Sequence, residues 1–166
     1  MGPLPNRAGT SGSATEHVAA MKHTFLFEPG IWTGAGTFWT EDGHATPAEG
    51  RTEITHRSDC WLLAGSLRVQ SSPPVEFVNH YFIKPPPPDG ISTTWNSENS
   101  AIGKLKGSFS IVGPSIVSLY RCDGGPGYFG TEHLMQLDQN HYEACGVLLL
   151  EGRRLSSWRV ALTRKG

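Results

Sequence analysis

Charge is scarce in this chain. Asp, Glu, Lys and Arg make up 17% of its 166 residues and the formal net charge is -1, where an average soluble domain carries roughly 25% charged residues. A near-neutral chain without a basic stripe has no electrostatic footprint for nucleic acid or an anionic membrane surface, so neither is expected as a partner. The locally basic tail, Arg153, Arg154, Arg159, Arg164 and Lys165, alternates between strand faces and reads as solvated. Cysteine is scarce too. Cys60, Cys122 and Cys145 are odd in number and lack CxxC spacing, which argues against a disulfide framework or a zinc site and for a reducing, cytoplasmic setting. No apolar run approaches the ~20 residues of a membrane-spanning helix, and no basic segment followed by an apolar one opens the chain as a secretory leader. After Phe25 no apolar repeat of helical period is sustained, which excludes a bundle or coiled coil. The Asp123-Gly124-Gly125-Pro126-Gly127 stretch is followed by neither a helix nor Lys-Ser/Thr, so it is no phosphate loop. With no other cofactor or metal motif, none of either is expected.

What the chain does have is turn chemistry. Gly 20 and Pro 12 amount to about a fifth of the residues, against ~12% on average, while 37% hydrophobic and 10% aromatic is too much apolar surface for a disordered chain. Residues 1–24 read as an N-terminal extension. Its first twelve residues are low in complexity, and Ser13-Ala14-Thr15-Glu16 is a capping box that would open a short helix reaching Met21, itself a second candidate start. Residues 25–166 read as a single domain. Ten strands are predicted there, at 31–40, 48–57, 60–69, 75–84, 91–97, 102–111, 115–122, 128–137, 141–150 and 155–164, each closed by Gly, Pro, Asp or Asn. Links this short join antiparallel neighbours. Ten of them in series predict an all-β, antiparallel, up-and-down barrel, whose closure removes both sheet edges; a two-sheet sandwich is the alternative.

Two strands lack a clean apolar face. In 75–84 one set is Val75, Phe77, Asn79, Tyr81 and Ile83, the other Glu76, Val78, His80, Phe82 and Lys84; in 128–137, Glu132 and His133 likewise fall on opposite faces. Mixed faces suit an amphipathic cavity better than a packed core.

The first strand carries a motif, Gly30-Ile31-Trp32-Thr33-Gly34-Ala35-Gly36. This GxWxGxG entry resembles the calycin superfamily of lipocalins and fatty-acid-binding proteins, and within it most closely the ten-stranded nitrobindin-type bacterial barrels. The resemblance implies a barrel floor made by Gly30, Trp32, Gly34 and Gly36, with an arginine of the last strand over the tryptophan; Arg159 and Arg164 are both placed for this, and Arg164 is assigned to the floor. It also implies a haem-ligand histidine near the start of the last strand. Here that stretch is Leu155-Ser156-Ser157-Trp158-Arg159, without histidine, and His141 belongs to a barrel end. Haem binding is therefore the weaker implication.

The expected function is binding of a small, largely apolar ligand inside the barrel, with Asn79, Tyr81, Trp95, Arg121, Glu132 and His133 as the orienting polar groups. Adjacent strand residues cannot both face inward, so Glu132 and His133 exclude one another, as do His80 and Tyr81. The alternative is a cofactor-independent isomerase, cyclase or lyase using His80, Tyr81, Glu132 or His133 as acid and base in the same chamber. A third reading is an empty barrel whose outer wall binds protein, and a homodimer is compatible with all three.

Overall fold

The computed structural model describes residues 22–88, 90–125 and 127–166. The lead and the short helix expected up to Met21 lie outside the described residues. The rest is a closed, all-β, antiparallel up-and-down barrel: β1 (Gly30–Trp39), β2 (Ala45–His56), β3 (Trp61–Val69), β4 (Val75–Ile83), β5 (Ser92–Asn99), β6 (Gly103–Val112), β7 (Ser115–Cys122), β8 (Tyr128–Gln136), β9 (His141–Leu150) and β10 (Arg153–Lys165). Each strand pairs with its sequence neighbours, and β1 meets β10 in a register running from Ile31↔Lys165 to Trp39↔Ser157. Closure rules out the sandwich.

Strand ends fall within three residues of the sequence reading. The widest difference is β2, which starts at Ala45 and runs through Pro47. The Pro47 carbonyl accepts from Gln70 N at 2.9 Å, beyond the end of β3, so the missing N–H faces a side where the ladder has stopped. The β9–β10 link is two residues, Glu151 and Gly152, at φ 52° and 82°. Two positive φ values in a two-residue loop make the primed turn whose twist matches the strands, and glycine takes the second position without strain. A β-bulge between Arg154 and Ser156 then resets the facing of β10.

One end of the barrel is plugged by the segment before β1. Phe25 and Leu26 are buried there with Trp32, Ile54 and Tyr142. The plug is held by polar bonds as well as packing. Tyr142 Oη accepts from the backbone N–H groups of Thr24 (3.0 Å) and Phe25 (3.2 Å) and lies 3.1 Å from His23 Nδ1. His23 Nε2 lies 3.0 Å from the Gly113 carbonyl. These partners fit the tautomer in which Nε2–H donates to that carbonyl and Nδ1 accepts from the phenol. His56 Nε2 donates to the Leu26 carbonyl at 2.8 Å, and Trp32 and Tyr142 meet edge to face at 5.4 Å. Trp32 is fully buried, and Arg164 lies over it at 5.9 Å while bonding Glu28 (2.7 Å) and the Pro29 carbonyl (3.1 Å). Arg159 instead points outward and pairs with Glu143. At Gly36 β10 leaves no room for a side chain: a Cβ there would stand 2.0 Å from the Arg159 carbonyl oxygen.

Candidate functional site

Above the plug the barrel interior is not filled. It holds a chamber of about 220 Å3, bounded below by Phe25 and walled by aliphatic side chains such as Leu63, Leu105, Leu134 and Val160. At the far end, toward the β1–β2, β3–β4 and β5–β6 links, Phe38, Leu67, Phe77 and Ile102 line it. The far end is shaped by unequal strand lengths. The β4–β5 ladder runs only from Asn79↔Asn99 to Ile83↔Trp95, so the first part of β4 extends past β5 and the β5–β6 turn reaches the chamber.

Four polar side chains come together on this apolar lining. Glu132 of β8, Tyr120 of β7 and Trp158 of β10 share one side, and Tyr81 of β4 faces them. Their placement follows from glycines inside strands. Glu132 is in register with Gly146, and Gly146 with Trp158. Because Gly146 has no side chain, the indole lies across it, where a Cβ would sit 2.3 Å from the ring, and Trp158 Nε1 reaches Glu132 Oε1 at 3.4 Å. Tyr120 lies over Gly130 in the same way, with a would-be Cβ 2.1 Å from its ring, and Trp95 lies over Gly107. Glycine in a strand interior often marks such close approach, with an aromatic covering it from the neighbouring strand.

The electrostatics follow from burial without a counter-charge. Glu132 is half-buried and turned into the chamber, and desolvation raises its pKa above the usual 4.5, with the Trp158 N–H opposing. At 3.4 Å that bond is long, since charge-assisted ones run about 2.7–2.9 Å, and it is the carboxylate's one hydrogen bond among the described residues. Burial likewise pushes the Tyr81 phenol well up, reinforced by the Glu132 charge and then by Tyr120. Tyr120 is raised for the same reasons, burial first and Glu132 second. The chamber therefore favours neutral forms of all three groups. No lysine, arginine or histidine is among its lining residues.

The sequence-predicted residues divide by strand parity. Asn79, Tyr81 and Glu132 face the chamber. Asn79 Oδ1 accepts from Asn99 Nδ2 at 2.7 Å, while Asn99 Oδ1 accepts from the N–H groups of Ala101 and Ile102, which shapes the β5–β6 turn. Trp95 faces inward, but it stands behind Tyr81, 4.7 Å away in a T-shaped contact, and does not line the chamber. Its expected contact with ligand is corrected accordingly: packing onto Gly107 keeps the ring in the wall. Arg121, His80 and His133 also require correction. Arg121 is exposed on the outer wall in a groove with Phe82, Lys84, Lys106 and Phe129, because Tyr120 takes the inward position. His80 is exposed for the same reason beside Tyr81. His133 lies on the outer face, 2.8 Å from Ser115 Oγ, because Glu132 faces in. Trp158 and Asn99 were not singled out by sequence as site residues, and Tyr120 was read only as the neighbour of Arg121 at the barrel mouth. The signal for Tyr120 and Trp158 was the strand-interior glycines 130 and 146, which these rings cover from the neighbouring strands; Asn99 carried no such signal.

The residues do not fit a haem. No histidine, cysteine or methionine lines the chamber, and its two phenols are held protonated by burial. Among the described residues no three His, Cys, Asp or Glu side chains converge as a metal site, and no helix is long and apolar enough to cross a membrane. Cys60, Cys122 and Cys145 are free thiols.

The architecture defines a closed ten-stranded barrel with an internal chamber, consistent with a calycin-like fold. Neither a protein-family model nor a curated protein matches the chain.

Proposed function

We propose that the protein binds a small, largely apolar molecule in the barrel chamber, with one polar end set against Glu132, Tyr120, Tyr81 and Trp158. The observation that carries this reading is a chamber of about 220 Å3 with mainly apolar walls, in which Glu132 is the one ionisable carboxyl among the lining residues. A cavity of roughly 150 Å3 is enough for one aromatic ring. Entry is from the far end, since the segment before β1 occupies the floor. The three free thiols support a cytoplasmic location.

Native mass spectrometry of the isolated protein, together with titration of ligand-free protein by ethylbenzene and phenethyl alcohol, tests the reading. A bound small molecule lost on denaturation, or saturable binding of either probe, supports it. Absence of both removes it.

A second reading rests on the raised proton affinity of Glu132 beside two phenols: an acid/base reaction chamber for an isomerisation, cyclisation or elimination without cofactor. In that case Glu132→Gln abolishes turnover of the co-purified compound while its binding persists. A pure binding protein releases that compound unchanged.

A further inference from the structure

Resting on the small-ligand reading, we propose that the ligand is an organic amine, bound as its ammonium ion on the Glu132 carboxylate within walls made by Tyr81, Tyr120 and Trp158. Charge complementarity points there first. Glu132 is a carboxylic acid turned into a mainly apolar chamber, with one long hydrogen bond and no cationic side chain among the lining residues. A buried carboxylate is costly unless a cation or several donors accompany it. The barrel supplies one indole N–H. An ammonium group brings both the missing charge and the missing donors.

The walls point the same way. Aromatic rings attract cations, and the attraction grows when water is excluded. Three aromatic side chains, from β4, β7 and β10, surround the space next to Glu132. Anionic ligands such as fatty acids would meet a carboxylate and no counter-ion. Neutral ligands would leave the carboxyl either charged and alone or protonated. The remainder of the chamber is lined mainly by apolar side chains such as Leu63, Leu105, Leu134 and Val160, with Asn79 and Asn99 bonded to each other, which favours an apolar body for the amine.

Binding an ammonium ion to the protonated carboxyl expels one proton from Glu132 to solvent. Affinity for an amine therefore falls as pH drops through the Glu132 titration, whereas affinity for a neutral analogue does not. The titratable groups facing Glu132 from the neighbouring walls are Tyr81 and Tyr120, both kept neutral by burial; β9 and β10 present Gly146 and Trp158.

The experiment is calorimetric titration of the full chain with phenethylamine, phenethyl alcohol, phenylacetate and ethylbenzene at two pH values, repeated on Glu132→Gln. We expect phenethylamine to bind about tenfold or more tighter than the alcohol above the Glu132 titration, with phenylacetate weakest and the amine preference lost at low pH. Glu132→Gln should erase that preference and keep the alcohol and ethylbenzene affinities; should the variant fail to fold, the wild-type pH series decides alone. Alcohol or ethylbenzene binding as tightly as the amine overturns the amine assignment and leaves the small-ligand reading intact. Failure of all four probes overturns that reading as well.

Discussion

Replacing Glu132 by glutamine removes a carboxyl that burial has made hard to ionise, and the consequence for stability has a definite sign. In the unfolded chain this glutamate titrates near 4.5, while in the folded barrel desolvation raises its pKa. The folded state thus holds the proton more tightly. Stability from this group is fully present below the unfolded pKa and is lost as pH rises through the folded one. One proton bound by the folded and not by the unfolded state corresponds to a slope of about 1.4 kcal/mol per pH unit, flattening once both states are ionised. The Trp158 N–H, at 3.4 Å, is too long a bond to reverse that sign. Glutamine keeps the shape and the acceptor but cannot ionise. Urea unfolding followed by tryptophan fluorescence, from about pH 4 to about pH 8, gives the difference between variant and wild type. It should start small, climb in favour of glutamine with that limiting slope, and then plateau. The carboxylates of Asp42, Asp123 and Asp138, whose pKa values are lowered by hydrogen bonds and nearby cations, act in the opposite direction but cancel in the difference. Parallel curves for the two proteins would show that Glu132 is not desolvated, and the reasoning about the chamber would be wrong.

Four further outcomes are expected. Gly146→Ala drives a Cβ to 2.3 Å from the Trp158 ring; overpacking at about 1–3 kcal/mol outweighs the ~0.4–1 kcal/mol gained by stiffening the unfolded chain, so urea melts should show net destabilisation rather than gain. Tyr142→Phe leaves the Thr24 and Phe25 N–H groups without their acceptor, which should cost about 2–4 kcal/mol in the same melts while ethylbenzene affinity holds. Arg164→Ala removes the bonds to Glu28 and Pro29 and the contact with Trp32; about 1 kcal/mol should be lost, seen as a lower Tm. His80→Ala and His133→Ala sit on the outer face, and calorimetry should find chamber affinities unchanged.

Much of the barrel was legible before any coordinates. Alternation and turn residues located the strands, and short links required antiparallel neighbours. The Gly30–Gly36 motif pointed to the plugged end, where Trp32 lies beneath Arg164. The site was legible in half. Asn79 and Tyr81 stand on the more apolar set of their strand, and that set faces in. In β8 the sequence offered Glu132 and His133 equally, because flanking apolar residues lie on both sets. Tyr120 stood hidden beside the more conspicuous Arg121. Trp158 could not be connected to Glu132, since their meeting depends on Gly146, a residue of the intervening strand, being empty at that level.

By itself, then, the sequence determined a secondary-structure rhythm and a topology, because period-two alternation and turn preferences are local properties of neighbouring residues. What only the tertiary structure decided was which parity of each strand faces inward, and that the inside is a chamber instead of a packed core. Both depend on closing β1 onto β10 and on the bulge before Ser156. Closure brings side chains from three other strands, β4, β7 and β10, around the Glu132 carboxyl, and its desolvation is a property of that assembly.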